Sequence, residues 1–467
     1  MHHESPTTGY SQRLAALDTL LWQTRMLWQV KAFECHHLPW EGDFPNLADA
    51  VWAIADNQID VLDSAPLQLF AALVPALQQD LTALQSAEAV DITTRQTWLW
   101  DLTLLQRVMA SRNAPKDSSV TAPISTQLLS QDDEAHFSAH IKGRKWQQIA
   151  AFVAAILDDE LSDDRDAPSG TRKAQPSEQR HYLEWCAGKG HLGRLIAKAR
   201  GADVLSLEWQ AQLCEQGQAF ANKWKLKQKF ICADAFNDTV TPLFINMDNT
   251  ASQHAVALHA CGDLHVRLLQ LGVAAQTDKI SISPCCYHLI RDTHYQPLSA
   301  IAKASALTLS RHDLQLPLQH SVIANPKQQG LRHQEIAWRL GFDTLQRQCR
   351  GVDCYLPIPS IKQSQLSGSF SEFCQWAAQC KAVVLPPSLR GKNGDFGAYL
   401  AIGRQRQRLT QRIDLVAHLF REALEQWLLL DRVCFLEAQG YQVSLSEFCP
   451  TSITPRNALI RAIRASV

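Results

Sequence analysis

The chain has 467 residues, of which 46% are hydrophobic and 19% are charged, and its formal net charge is −1. This length predicts two or three domains, and this composition excludes a chain that is disordered throughout. The charge balance excludes a wholly basic nucleic-acid coat but allows a local basic groove. No apolar run reaches the roughly 18 residues of a membrane span, and the first residues lack a signal core, so we expect a cytoplasmic protein without membrane contact.

The thirteen cysteines are many for a cytosolic chain, yet no two of them have the CxxC spacing of a zinc ribbon. We therefore expect most of them to be reduced and buried, as small hydrophobic side chains usually are. The spacing predicts no metal site, and whether Cys285 and Cys286 bind a metal stays open.

Residues 10–110 are predicted to contain helices only, because apolar side chains recur at helical spacing throughout this region. We interpret residues 1–133 as an all-helical N-terminal domain with tryptophans in its core. Trp98 and Trp100 lie two positions apart and cannot both face one helix stripe, which leaves one of them for an interface.

From residue 181 onward, short strands alternate with helices. This alternation predicts an α/β fold with a doubly wound sheet of parallel strands in residues 134–294. Residues 295–405 are interpreted as an inserted, mainly helical segment, in which the stretch 387–405 holds four glycines and is predicted to be a loop. Residues 406–467 complete the sheet with a strong helix and two strands, and such a terminal hairpin can form an antiparallel edge.

The segment Leu183–Arg200, LEWCAGKGHLGRLIAKAR, carries a Gly-x-Gly-x-x-Gly pattern between a strand and a helix. Glycines there permit a tight turn and a close approach of the backbone to a ligand. A nicotinamide dinucleotide fits in part, since Glu208 lies about twenty positions on and could hold a ribose. Two features count against a nicotinamide dinucleotide. Glu184 places a charge at the end of a strand that should be buried, and a second acid, Asp234, follows the third strand. A P-loop is excluded because GK[ST] is absent.

Acids before the glycine loop, after the second strand and after the third strand resemble the pattern of class I S-adenosylmethionine-dependent methyltransferases. ALHACGDL (257–264), SPCCYH (283–288) and ITPRN (453–457) are similar to motifs of eukaryotic methyltransferase-like proteins and of the glutathione S-transferase C-terminal-domain-containing protein. The tRNA ribose methyltransferases are more distantly similar. The resemblance covers residues from about 140 to 295 and from about 415 to 467. It implies a seven-stranded, Rossmann-like sheet and S-adenosylmethionine as the cofactor.

The resemblance also implies roles for single residues. Glu184 would fix the loop or meet the methionine ammonium group, Glu208 would accept both ribose hydroxyls, and Asp234 would accept from the adenine amino group. One departure is Cys186, which stands where the family has the first glycine of its loop. The predicted cofactor-binding residues are Glu184, Cys186, Ala187, Gly188, Gly190, Glu208, Asp234, His259 and Cys261.

The motifs ALHACG and SPCCYH are predicted to end strands four and five at the carboxyl edge of the sheet, where ligands bind in open α/β folds. We predict that Tyr287 stacks on or hydrogen-bonds the target group, and that His288 or Asp263 takes its proton. These three are the predicted catalytic residues. Three interpretations of Cys285 and Cys286 stay open, namely acceptor binding, small side chains at a crowded strand end, and a metal site.

The sequence thus predicts an S-adenosylmethionine-dependent methyltransferase with a macromolecular acceptor, RNA (tRNA or rRNA) being favoured over protein. Basic runs at 222–230 and 404–412 are candidate phosphate contacts. An NAD-dependent oxidoreductase and a non-catalytic binding protein on the same scaffold are the alternatives. The acceptor atom and the oligomeric state stay open. If the N-terminal helices capture the substrate, deleting residues 1–130 should spare cofactor binding and cripple methylation.

Overall fold

The computed structural model describes residues 6–87, 100–113, 128–139, 141–162, 181–244, 252–319, 326–389 and 395–465. The chain packs into two compact units. The first unit comprises residues 1–18, 114–315 and 426–467, and the second comprises residues 19–113 and 316–425. Each unit therefore draws on more than one of the segments predicted from the sequence.

Helices form most of the described secondary structure, together with the strands of one sheet. The helices are, in chain order, α1 (Pro6–Gln23), α2 (Arg25–Trp28), α3 (Pro45–Ala53), α4 (Ile59–Asp63), α5 (Pro66–Ala87), α6 (Leu102–Asn113), α7 (Gln131–Ser138), α8 (Gly143–Ser162), α9 (His191–Arg200), α10 (Ala211–Lys223), α11 (Asp263–Ala274), α12 (Ala300–Ala304), α13 (Pro326–Arg350), α14 (Phe370–Cys380), α15 (Gly397–His418) and α16 (Arg421–Ala438). The strands are β1 (His181–Trp185), β2 (Asp203–Glu208), β3 (Gln228–Cys232), β4 (Gln253–Cys261), β5 (Lys279–Cys285), β6 (Tyr441–Glu447) and β7 (Ala458–Arg464).

The first unit is built on a seven-stranded sheet with the order β3-β2-β1-β4-β5-β7-β6. Strands β1 to β5 are parallel, and β7 pairs antiparallel with both β5 and β6. This is the predicted doubly wound sheet, including its antiparallel terminal hairpin. Because β1 to β5 run in one direction, their carboxyl ends lie along a single edge.

Apolar side chains alternate along the strands and form a core on each face of the sheet. On one face, Tyr182 and Val256 pack with residues of α8 and α9. On the other face, Leu183 and Ala255 pack with residues of α11 and α16. The sheet is therefore covered by helices on both faces, and this packing fixes the positions of the strand ends.

The described part of the second unit is helical, and α13 packs along α15 at a very close crossing. A β-carbon at Gly403 would overlap the carbonyl of Ala337 and would lie 2.7 Å from the amide nitrogen of Gly341. The two helices therefore meet backbone to backbone. An aromatic core lies beside this crossing, in which the rings of Trp338 and Phe373 are 5.4 Å apart.

The loop predicted for 387–405 is wrong for its second half, because α15 begins at Gly397. Gly403 lies inside this helix, where it serves the close crossing. The glycine therefore signals packing there, although the pattern predicted a turn. Residues 390–394 lie outside the described residues.

Two arginines of the basic run 404–412 pair with carboxylates, whereas Arg404 and Arg408 are exposed, so phosphate contact stays a prediction for the exposed two. Arg406 Nη1 donates to Asp343 Oδ2 at 2.7 Å, and Arg412 Nη2 donates to Asp56 Oδ1 at 2.9 Å. Both arginines are buried within the second unit. Their charges neutralise carboxylates there, because a buried cation needs a partner.

Trp100 is buried and its ring lies 5.6 Å from that of Phe44, whereas Trp98 lies outside the described residues. Where the chain is described, no single helix is long and apolar enough to cross a bilayer. One bent pair, Asp56–Asp63 with Pro66–Ser86, meets the length and composition alone, with an angle of 116° between its halves.

Candidate active site

The glycine loop between β1 and α9 has a left-handed backbone at three positions. Cys186, Gly188 and Gly190 have φ values of 56°, 59° and 66°. Glycine adopts this conformation without strain, whereas the cysteine must be held in it by its surroundings. The amide of Ala187 donates to the carbonyl of Leu207 at 2.8 Å. The loop is thereby tied to β2 at the carboxyl edge of the sheet.

Glu184 lies buried against this loop, with only 2% of its surface exposed. Its Oε2 accepts from Ser206 Oγ at 2.6 Å, and the amides of Leu192 and Gly193 at the start of α9 also donate to the carboxyl group. Burial raises the pKa of Glu184 to about 7, although these hydrogen bonds and the charge of Arg194 oppose the rise. The contacts fit the first predicted role, fixing the loop. A contact with the methionine ammonium group needs an exposed carboxylate edge, which this side chain does not have.

Two further acids stand at the ends of neighbouring strands. Glu208 Oε2 accepts from the amide of Gly188 at 2.9 Å, and its Oε1 accepts from the amide of Gln210 at 3.0 Å. Asp234 follows β3, is exposed, and accepts from the amide of Phe236 at 3.0 Å. A carboxylate offers about four lone-pair sites, so both acids keep capacity for a ligand.

The thiol of Cys186 lies near several of the other predicted cofactor-binding residues. Burial, followed by the charges of Glu208, Cys261 and Asp234, raises the pKa of this thiol to about 12. Such charges act strongly only over short distances. The loop and the ends of β2, β3 and β4 therefore surround one place at the edge of the sheet.

Strand β4 ends in an irregular turn that carries two of the predicted residues. Its pairing with β5 shifts register between Leu258 and Cys261, and His259 has a φ of 75°. The amide of Gly262 donates to the carbonyl of Cys285 at 3.0 Å, which joins the ends of the two strands. Cys261 Sγ consequently lies 3.5 Å from Cys285 Sγ.

A family model described as a methyltransferase domain matches residues 144–293. The chain therefore contains a methyltransferase domain. The matched span contains β1 to β5 and every predicted site residue, and it favours methyl transfer over the NAD-dependent alternative. The sheet order agrees with the fold of class I methyltransferases.

Two solved structures are also similar to this chain. The first is an S-adenosylmethionine-dependent methyltransferase from Clostridium acetobutylicum, with 10% identity and a TM-score of 0.21. That match covers 32% of this chain and only 56% of the other one. The second is a mutant of MtNAS, with 13% identity, a TM-score of 0.23, and coverage of 48% of this chain and 81% of the other. At such TM-scores, neither similarity bears on the acceptor.

The carboxyl edge of the sheet, here called the cofactor edge, fits S-adenosylmethionine, which supplies a methyl group on its sulfonium when bound. A β-carbon at Gly188 would enter open space, so the backbone there is free for a ligand to approach. A β-carbon at Gly190 would instead overlap the ring of Phe230, so this glycine serves the packing of the loop on β3. Glu208 offers a fixed bidentate acceptor for ribose hydroxyls, and the exposed Asp234 offers an acceptor for an amino group. These assignments to single residues stay predictions.

Tyr287 lies in the interior of the first unit, with 1% of its surface exposed. Its ring lies edge-on to that of His265, with centroids 6.4 Å apart, and the Arg432 guanidinium lies 5.2 Å from its centroid. A stacked acceptor needs an exposed ring face, so the predicted stacking role does not fit this position. The packing indicates that Tyr287 supports the strand end from within.

Asp263 and His288 are placed differently from each other. Asp263 begins α11, and its Oδ2 accepts from the amide of Arg291 at 2.7 Å while its own amide donates to the carbonyl of Leu289 at 3.1 Å. This carboxylate pins the segment after the CCYH motif. His288 is half-buried, and its Nδ1 has no hydrogen-bond partner among the described residues. Of the two predicted proton acceptors, His288 is therefore the one with a free nitrogen.

Sequence reasoning missed a buried polar network behind the strand ends. Arg432 Nε donates to His265 Nε2 at 2.8 Å, and His265 Nδ1 donates to the carbonyl of Ala260 at 2.9 Å. Burial, with the charge of Arg432, holds the pKa of His265 well below its usual range, so this histidine is neutral. The hydroxyl of Tyr295 donates to Asp431 Oδ2 at 2.6 Å. The adjacent opposite charges in the apolar helix segment WLLLDRVCFL were a signal that could have revealed this network.

Proposed function

We propose that this protein is an S-adenosylmethionine-dependent methyltransferase that acts on an RNA, either a tRNA or an rRNA. The observation that carries this proposal is a group of basic side chains around the cofactor edge. Burial, Arg194, Lys145 and Lys189 together lower the pKa of His191, at the start of α9, to about 3. Lys145 and Arg456 also lie within electrostatic reach of His259 on the neighbouring strand end. Positive charge thus surrounds the site from several elements.

Several basic side chains lie at the N-terminal end of α8, where the helix dipole disfavours positive charge. Lys142, Arg144 and Lys145 are exposed at or beside its first turn, which contains no acidic residue. The first turn of a helix carries partial positive charge, so each cation there is unfavourable by about 0.3–1 kcal/mol. A bound anion reverses this effect, and RNA phosphates are such anions.

The lysine run at 222–230 lies apart from the basic group formed by Lys142, Arg144 and Lys145. Lys227 and Lys229 are exposed, and both line a surface cavity of about 570 Å³ together with His181 and Asp203. These residues lie at the amino ends of their strands, whereas the cofactor residues lie at the carboxyl ends. The run therefore provides a matched control for the basic group near α8.

Methyl transfer to an RNA hydroxyl or amine requires positioning of the acceptor and removal of its proton. Histidine is the most frequent general base in enzymes. We assign this role to the half-buried His288, because the Asp263 carboxylate already accepts from the amide of Arg291. The acceptor proton would move to the imidazole ring of His288.

Methyl-labelled cofactor with fractionated cellular RNA and protein tests the acceptor class. We expect the label in the RNA fraction, in a form that ribonuclease releases. Label confined to the protein fraction would overturn the RNA proposal while leaving the methyltransferase assignment intact.

A double charge reversal tests the basic group. Arg144→Glu combined with Lys145→Glu should raise the KM for RNA at least tenfold, because phosphate contacts dominate affinity for nucleic acid. Binding of S-adenosylhomocysteine, measured by calorimetry, should not change. The control pair Lys227→Glu and Lys229→Glu should leave KM unaltered. An equal rise of KM in both pairs would show a general effect of charge.

A cytoplasmic location belongs to the same proposal. All thirteen cysteines are free thiols in the structure, which fits a reducing compartment. Cell fractionation followed by immunodetection of the full chain tests it.

A further inference from the structure

We propose that Cys261, Cys285 and Cys286 bind a Zn²⁺ ion beside the cofactor loop. The sulfurs of Cys261 and Cys285 are 3.5 Å apart, and all three sulfurs lie within 4.8 Å of one another. Tetrahedral zinc with Zn–S bonds of about 2.3 Å holds its sulfurs roughly 3.8 Å apart. The thiols are therefore already spaced for one shared ion.

The backbone brings the three cysteines together from two strands. Cys261 and Cys285 end the parallel strands β4 and β5, whose register shift makes them direct partners. Successive residues in a strand point to opposite faces. Cys286 does not follow this alternation, because its φ of 49° ends the extended backbone and turns the chain. Such a conformation is strained for a residue other than glycine, and a bound ion would offset the strain.

The surroundings suit an ion held by thiolates. Three thiolates and Zn²⁺ carry a net charge of −1, and Arg456 lies within electrostatic reach of both Cys261 and Cys286. The Arg456 Nε is buried without a hydrogen-bond partner in the described chain. Arg456 can therefore balance the charge of the complex. This arginine belongs to the ITPRN motif, which has no assigned role in cofactor binding.

The thiol cluster is closed on one side and open on the other. Cys285 is buried, whereas Cys261 and Cys286 are half-buried. Three protein ligands with a fourth position left for water or substrate are typical of catalytic zinc sites, because structural sites use four protein ligands. Cys186 of the cofactor loop lies within electrostatic reach of Cys261. The ion would lie next to the cofactor, where an acceptor atom could become its fourth ligand.

Metal analysis of the full chain, purified without chelators, tests this site. Inductively coupled plasma mass spectrometry should find about one zinc ion per chain. Cys261→Ala, Cys285→Ala and Cys286→Ala should each lose the zinc. Cys374→Ala, at a buried cysteine in the aromatic core of the second unit, should keep it. Circular dichroism shows whether each variant is folded.

Two measurements on the wild-type chain keep the test decisive if a variant misfolds. Substitution with Co²⁺ should produce a thiolate-to-cobalt charge-transfer band and intense visible bands of a tetrahedral ion. Zn²⁺ should also protect these three thiols from alkylation, as mapped by peptide mass spectrometry. Zinc retained by all three variants, a cobalt spectrum without thiolate bands, or unprotected thiols in zinc-saturated protein would each overturn the proposal.

Discussion

Glu208 connects the glycine loop to the predicted ribose position, because its Oε2 accepts the amide proton of Gly188 at 2.9 Å. Glu208→Ala removes a bidentate acceptor, so we expect the affinity for S-adenosylhomocysteine to fall at least tenfold, or about 1.4 kcal/mol. Asp234→Ala should have a smaller effect. Isothermal titration calorimetry measures both, with Glu215→Ala on the exposed face of α10 as the control. Unchanged affinity in Glu208→Ala would remove this residue from the cofactor site.

Glu184 makes the stability of the loop depend on pH. Its pKa of about 7 in the folded chain lies above the ordinary value of 4.5, which the unfolded chain approaches. The folded state then holds a proton that the unfolded state has lost. Stability should therefore be fully present below about pH 4.5, fall as the pH rises to about 7, and level off above that. The loss is on the order of 3 kcal/mol.

Glu184→Gln mimics the protonated side chain and should remove this pH dependence. Urea unfolding of the wild type and the variant across the same pH range compares their slopes. A slope that persists in the variant would show that another group causes it.

At the scale of the element, two glycines in helices should respond to alanine in opposite ways. Gly403→Ala drives a β-carbon into the α13 backbone, so we expect the free energy of unfolding to fall by roughly 1–3 kcal/mol. Gly330→Ala, on the open surface of α13, should raise it by up to about 1 kcal/mol through helix propensity. Chemical denaturation followed by circular dichroism checks both. Stabilisation by both changes would mean that the helix crossing is looser than the structure shows.

At the scale of the whole molecule, the second unit joins two distant chain segments through buried arginines. Arg421 Nη1 donates to Asp63 Oδ1 at 3.0 Å, and His418 pairs with the same carboxylate. Arg412 pairs with Asp56 in a similar way. Deleting residues 1–130 would remove these acceptors and leave cations buried without partners. The truncation should therefore destabilise the second unit, and the expectation that cofactor binding survives it stays a prediction.

Asp63→Ala isolates this effect in one side chain. Breaking a buried ion pair by removing one partner costs about 3–5 kcal/mol, so we expect the free energy of unfolding to fall by that amount. Asp49→Ala, at an exposed position on α3, is the control and should change it by less than about 0.5 kcal/mol. Denaturant titration measures both. A small loss in Asp63→Ala would mean that Arg421 and His418 find other partners.

Local patterns were enough to predict the sheet and its acids. The strands alternate with helices over short distances, Glu208 is the last residue of β2, and Asp234 comes shortly after β3. The position of Tyr287 could not be predicted in this way, since its burial depends on Arg432, which lies far along the chain. The cluster of three cysteines could not be predicted for a related reason. The register shift between β4 and β5 brings Cys261 next to Cys285, although the two are not spaced as a CxxC pair.

The division of the second unit between residues 19–113 and 316–425 has a consequence for synthesis on the ribosome. Asp63 emerges early, but its partner Arg421 follows 358 positions later. At about 5–20 residues per second, this interval lasts roughly 20–70 s. Throughout most of it, the apolar faces of the N-terminal helices lack the helices that later cover them. Their protection from aggregation then depends on chaperones that bind nascent chains, so chaperone supply should limit the yield of this protein in cells.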